Sequence, residues 1–247
     1  GTGIEIGDST GIVTTSVSAS DNLDGAILSF ESDDVLVENS TLLANDDGFF
    51  AFNSTNITVR ETNTSLHTGS FATGVGVSNV TGLTVSNVTA VNNNGTGIRA
   101  FRTSDILLTG LIAVENREQG VGVFNSTNAT VRSTNASYQT GTFARGVDFD
   151  TVTGITVANV TAIGNNGTGL DIRDSAQIAV ANVTARQNTD GGIETFRVEN
   201  ATVSDSRLVA NQNNGFYASN ATNITVRATN LSTQQGAEAT GIEYISV

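Results

Sequence analysis

Apolar residues recur in this chain at every second position, in short bursts closed by polar punctuation. The stretch from Gly74 reads GVGVSNVTGLTVSNVTAVNNNGT. Val75 and Val77, then Leu83 and Val85, then Val88 and Ala90 alternate with small or polar residues, and Asn, Gly and Ser separate the groups. Period two predicts strands with one buried face, and no window carries the 3.6-residue spacing of a helix. Strands this brief do not hold alone; they must stack on copies of themselves.

The copies are present. A Gly followed by an apolar residue opens a unit at Gly3, Gly25, Gly48, Gly74, Gly97, Gly120, Gly146, Gly169, Gly192, Gly215 and Gly241. Steps of 22 to 26 residues predict a solenoid. The phrases FNSTNITVR (52–60), FNSTNATVR (124–132) and SNATNITVR (219–227) mark the three 26-residue units, each ending in an enlarged loop at 62–72, 134–144 and 229–239. Asn93, Asn116, Asn165, Asn188 and Asn211 each stand four residues before the next opening Gly, with Asp21 at the same offset and Asn45 one residue closer to its Gly. Stacked in register, these predict an asparagine ladder. The expected fold is all-β, a single-stranded parallel β-helix of about ten 22–26-residue turns, forming one domain over 1–247. Both ends read as further repeats, which predicts a segment of a longer solenoid or end-on stacking on neighbours.

Composition narrows the chemistry. Pro, Cys, Met and Trp are absent, and the basic residues are all Arg. Without cysteine there is no disulfide framework, zinc cluster or thiol chemistry. The net charge of −13 repels nucleic acid and anionic lipid, and no apolar run reaches a membrane span. Loss of Lys beside abundant Asp, Glu and Thr resembles surface proteins of salt-loving archaea.

The Gly-apolar-x-apolar repeat resembles the right-handed parallel β-helix superfamily, which includes pectate lyases, polygalacturonases, NosD-like periplasmic proteins and phage tailspikes. The resemblance implies a right-handed coil and specifies fold better than function. The polygalacturonase motifs are not reproduced. Asn188-Thr189-Asp190 matches one tripeptide, but Asn188 belongs to the ladder, and the GHG and RIK motifs do not occur.

Candidate chemistry sits on the outward column of the first strand. There Asp148, Asp171 and Glu194 fall on consecutive turns, with Asp150 and Arg173 two positions further on. Three stacked carboxylates need positive charge between them: a hard cation such as Ca²⁺, Arg173, or screening salt. His67 is replaced by Gln139 and Gln234 in the sister loops, which argues against a base or ligand there. Phe71 and Phe143 close two of the enlarged loops and are expected to anchor them. The sequons at Asn53, Asn56, Asn87, Asn125, Asn128, Asn159, Asn182, Asn220 and Asn223 predict N-linked glycans.

Together these readings give the expectation of an extracellular structural or adhesive glycoprotein of a cell surface or filament, without catalysis. Its partners would be neighbouring copies, flanking solenoid or surface-layer domains, or polysaccharide. The alternatives are a polysaccharide lyase or hydrolase acting on acidic glycans, and a viral receptor-binding spike.

Overall fold

The computed structural model describes residues 1–237 and 239–246. Among them there is no helix, and every pairing between strands is parallel. First strands pair in succession from Thr2–Gly7 through Gly25–Phe30, Phe49–Arg60, Val75–Ser86 and Ile98–Phe101 to Ile242–Ile245, giving about 11 turns where about ten were expected. The alternation fixes which side chains enter the coil. Val75, Val77, Leu83, Val85, Val88 and Ala90 are all buried, and Phe49, Phe149 and Phe216 fill the first-strand layer with no exposure. Each fully buried Val, Leu, Ile or Phe contributes about 1.5–3 kcal/mol.

Each complete turn has four corners, and one residue at each adopts a left-handed φ. In the turn from Phe49 these are Asn53 (φ 50°), Asn56 (51°), Glu61 (50°) and Leu66 (65°). Asn tolerates this region better than most residues. The first two corners of the phrase FNSTN therefore explain its two asparagines locally.

The opening glycines answer to a different constraint. A Cβ on Gly97 would lie 2.6 Å from the carbonyl oxygen of Gly120, and one on Gly169 would lie 2.7 Å from that of Gly192. At these two turns a Cβ would clash with the neighbouring backbone unless the coil shifted. One frame shift corrects the alignment: Ile27 pairs with Phe49 and Leu28 with Phe50, so Ala26, not Gly25, occupies the opening position.

The ladder runs further than the asparagine spacing indicated. Asn188 donates its backbone N–H and its Nδ2 to Asn211 Oδ1, and Asn165 does the same to Asn188 Oδ1. Asn93 repeats the pattern on Asn116. At the three enlarged loops the acceptor changes but the bond survives: Asn45 N–H donates to His67 Nδ1, Asn116 N–H to Gln139 Oε1, and Asn211 N–H to Gln234 Oε1. Near the start the donor is Asn22, bonded to Asn45 Oδ1, so Asp21 at the expected offset is not the ladder residue but a left-handed corner.

His67 is thus a structural acceptor. Burial pushes its pKa down to about 4, and its ring meets Thr64 Oγ1 at 3.0 Å on the other side. Because the folded form binds its proton less well than the unfolded chain, stability is fully present above pH 6.5 and is lost as pH falls toward 4. Asp148, described below, has the opposite sign, so a comparison with a variant isolates the histidine. The His67→Gln protein, carrying the side chain of the sister loops, is expected to melt like the parent at pH 7.5 and to lose up to about 3 kcal/mol less between pH 6.5 and 4. Urea melts across that range check it, and parallel pH profiles would refute the assignment.

Candidate active site

The first-strand column is in register as the sequence implied: Arg99, Gly122, Asp148, Asp171, Glu194, Tyr217 and Glu243 pair one after another. Adjacent rungs lie about 4.8 Å apart. Asp148 and Asp171 are 3% and 1% exposed, whereas Glu194 is half-buried. Charge balance comes from two arginines. Arg173, expected from the strand pattern, donates from Nε to Asp171 Oδ2 at 3.0 Å and pairs through Nη2 at 2.7 Å.

The second arginine was missed. Arg145 bridges the two rungs, with Nε 2.5 Å from Asp171 Oδ2 and Nη1 3.1 Å from Asp148 Oδ2. It sits at the end of the second enlarged loop, immediately before Gly146. The matching positions of the other two loops are Thr73 and Thr240. That one departure among three loop copies was the available signal, and attention to the strand column alone passed over it.

Four carboxylates, Asp148, Asp171, Asp190 and Glu194, share these two guanidiniums. Burial pushes the Asp148 pKa up to about 6, against the lowering effect of Arg145. Glu194 is also raised, by burial and then by the neighbouring charge of Asp171, although Gly191 N–H donates to its Oε1 at 3.1 Å. Asp190 is raised chiefly by burial. Both bonds to Asp148, from Arg145 and from Gln119 Nε2 at 3.4 Å, fall on Oδ2. At the expected cation site of Asp148, Asp171 and Glu194, Arg145 and Arg173 pair with the two aspartates, and among the described residues no group of three or more His, Cys, Asp or Glu side chains is placed to hold a metal ion.

A groove of 530 Å³, lined by Phe71, Thr73, Arg99, Phe101, Gln119 and Phe124 among others, meets the cluster through Gln119, which bonds Asp148. Phe71 and Phe143 do not anchor their loops, as they are 76% and 67% exposed. The loops are held through backbone instead, Ala72 N–H donating to Gly69 and Ala144 N–H to Gly141.

Residues 73–231 match the family described as "Right handed beta helix region". The chain belongs to this family. No curated protein matches it. Among solved structures, this β-helix aligns with the A-module of the Azotobacter vinelandii mannuronan C-5 epimerase AlgE6 at TM-score 0.72 and 14% identity, over 95% of this chain and 71% of that one. It aligns with the periplasmic alginate epimerase AlgG at TM-score 0.63 and 14% identity, over 88% and 61%. The receptor-binding tailspike of bacteriophage Det7 follows at TM-score 0.59 and 13% identity, over 92% of this chain and 47% of the tailspike. At such identities the likeness is one of fold.

These neighbours correct the expectation of a structural or adhesive surface glycoprotein without catalysis. They are two glycan epimerases and a phage receptor-binding protein, joined by a GH87 α-1,3-glucanase at TM-score 0.57. Among the seventeen sequon asparagines, the nine named above as glycan candidates are all exposed and lie at left-handed corners. Several bond along the axis, as Asn79 Nδ2 does to Asn53 Oδ1 and Asn182 Nδ2 to Asn159 Oδ1.

Arg145→Thr, which installs the residue of the sister loops, leaves Asp148 and Asp171 with one guanidinium between them. At pH 7.5 the variant is expected to lose on the order of 3 kcal/mol. The loss shrinks below pH 6, where Asp148 takes up its proton. Denaturant melts at pH 7.5 and 5 measure both values, and an equal loss at the two would contradict the charge assignment.

Proposed function

We propose that this β-helix is a glycan-acting enzyme that cleaves a polysaccharide laid along its first-strand face, with Asp148 as proton donor and Glu194 as base. The observation that carries the reading is Asp148 itself, a carboxyl kept protonated to about pH 6 beside a groove of the right scale for sugar rings. Such a group can protonate a glycosidic oxygen while the C–O bond breaks. Glu194 stands two rungs away, about 9–10 Å along the axis. That is near the upper end of the separation at which a second carboxylate activates water for inverting hydrolysis, 6.5–9.5 Å by the general rule. Water then adds at the anomeric carbon, its proton passes to Glu194, and the leaving alcohol keeps the proton of Asp148.

Asp171 has a different role. Held by Arg145 and Arg173, it positions both guanidiniums and keeps its own charge away from the substrate. The glycan-acting enzymes among the structural neighbours support the substrate class, and the periplasmic and phage examples support a location outside the cytoplasm. The burial of Asp148 favours one second reading, a receptor-binding surface that holds a glycan without turning it over.

Hydrolysis predicts new reducing ends from an acidic or neutral polysaccharide panel. The rate should fall as pH rises through 6, when Asp148 loses its proton, and fall at low pH when Glu194 gains one. Asp148→Asn should reduce kcat by 10²-fold or more with little change in binding. Unsaturated products would move the reaction to elimination by the same proton donor. Binding without products would favour the receptor-binding reading, and neither binding nor products would overturn the proposal.

A further inference from the structure

We infer that Arg99, with the Phe124 ring laid across Gly122, is a recognition subsite for a carboxylate-bearing sugar beside Asp148, so that the substrate is a uronate-containing glycan. The inference rests on the reading of Asp148 as the reacting group and adds the residues that select the substrate.

Register places the three positions on successive rungs of one column, Arg99, Gly122 and Asp148. The middle rung has no side chain of its own. A Cβ on Gly122 would lie 2.6 Å from Phe124 Cε2 and 2.8 Å from its Cζ, so the ring rests directly on bare backbone. It forms an apolar floor between a cation on one side and a protonatable carboxyl on the other. Arg99 to Asp148 spans two rungs, about 9–10 Å, enough for one pyranose ring with its exocyclic carboxylate and the next glycosidic oxygen. Gln119 lines the same groove as Arg99 and reaches Asp148. It accepts from Thr96 Oγ1 at 2.9 Å within the groove and donates to Asp148 Oδ2.

Charge assigns the ligand. Arg145 and Arg173 are committed to Asp171, but Arg99 is exposed and makes no ion pair among the described residues. Its guanidinium carbon lies 5.6 Å from the Phe101 ring centroid and 5.7 Å from that of Phe124, a setting that holds a planar cation without neutralising it. A guanidinium so placed pairs two-pronged with a carboxylate. A polyanion is otherwise unwelcome on a chain of net charge −13, and the carboxylate excess around Asp148 repels an acid group placed there. The geometry receives the substrate's charge one ring away from the reacting bond.

The test uses the full chain and four probes, tetramers of galacturonate and of mannuronate and their carboxyl-reduced neutral counterparts. Calorimetric titration of the parent should show the uronate tetramer of one type bound at least tenfold more tightly than its neutral form. Arg99→Gln, a change at an exposed position, should remove that preference by weakening the uronate tenfold or more while moving the neutral tetramer less than twofold. Asp148→Asn should bind the uronate within twofold of the parent. Gly122→Ala, which lifts the ring, should weaken both forms. Equal affinity of parent and Arg99→Gln for uronate, no preference over the neutral forms, or no binding by the parent would each overturn the subsite. Arg99-dependent uronate binding without any products would leave the subsite standing and remove the enzymatic reading. Cleavage of neutral glycans unaffected by Arg99→Gln would do the reverse.

Discussion

A residue inserted within any strand of this coil would carry every later side chain of that strand from the interior to the outside. Backbone pairing at one rung spacing therefore lets the chain lengthen only at its corners, or by whole turns. Both routes are used. The three enlarged loops leave the flanking strands in register, as Ser54 pairing with Val80 and Ser126 with Val152 show on either side of loop-bearing turns. The ladder holds each loop in place by substituting His67, Gln139 or Gln234 for asparagine, so a variable corner is tied to an invariant hydrogen bond.

That constraint also explains how a site arises on a monotonous scaffold. Strand positions are free to vary only on their outward face, and they present whatever they carry at fixed intervals along the axis. Asp148, Asp171 and Glu194 gain their proximity from register alone. Arg145 reaches them because an enlarged loop ends beside the column. Burial distinguishes Asp148 from an ordinary surface acid, since desolvation raises its pKa against the pull of a neighbouring guanidinium.

The strand pattern, the turn length and the acidic column were legible because each repeats, and repetition makes position readable without knowledge of contacts. What departs from repetition was harder to read. Asn22 replaces Asp21 in the ladder because the first turn is one residue out of frame, which no spacing rule reveals. His67 could be set aside as a catalytic base from its glutamine sisters, but its service as an acceptor follows from the ring Nδ1 standing where an amide oxygen stands elsewhere. The sequon asparagines Asn53, Asn56, Asn125 and Asn128 recur in pairs where the coil turns through left-handed corners, a local backbone demand that the repeated phrase shows only as spelling. Arg145 required comparison of three loop ends, Thr73, Arg145 and Thr240, rather than of strands.

The account depends on a carboxyl that the fold has moved out of the ordinary range, and its proton can be observed directly. Carbon-13 NMR of the aspartate side-chain carboxyls, with Asp148 assigned by difference from the Asp148→Asn protein, would follow the titration of that one group. The account predicts an inflection near pH 6. A midpoint below pH 4, that of an aspartate free in water, would contradict it, because Asp148 would then carry full charge beside Asp171 and have no proton to give.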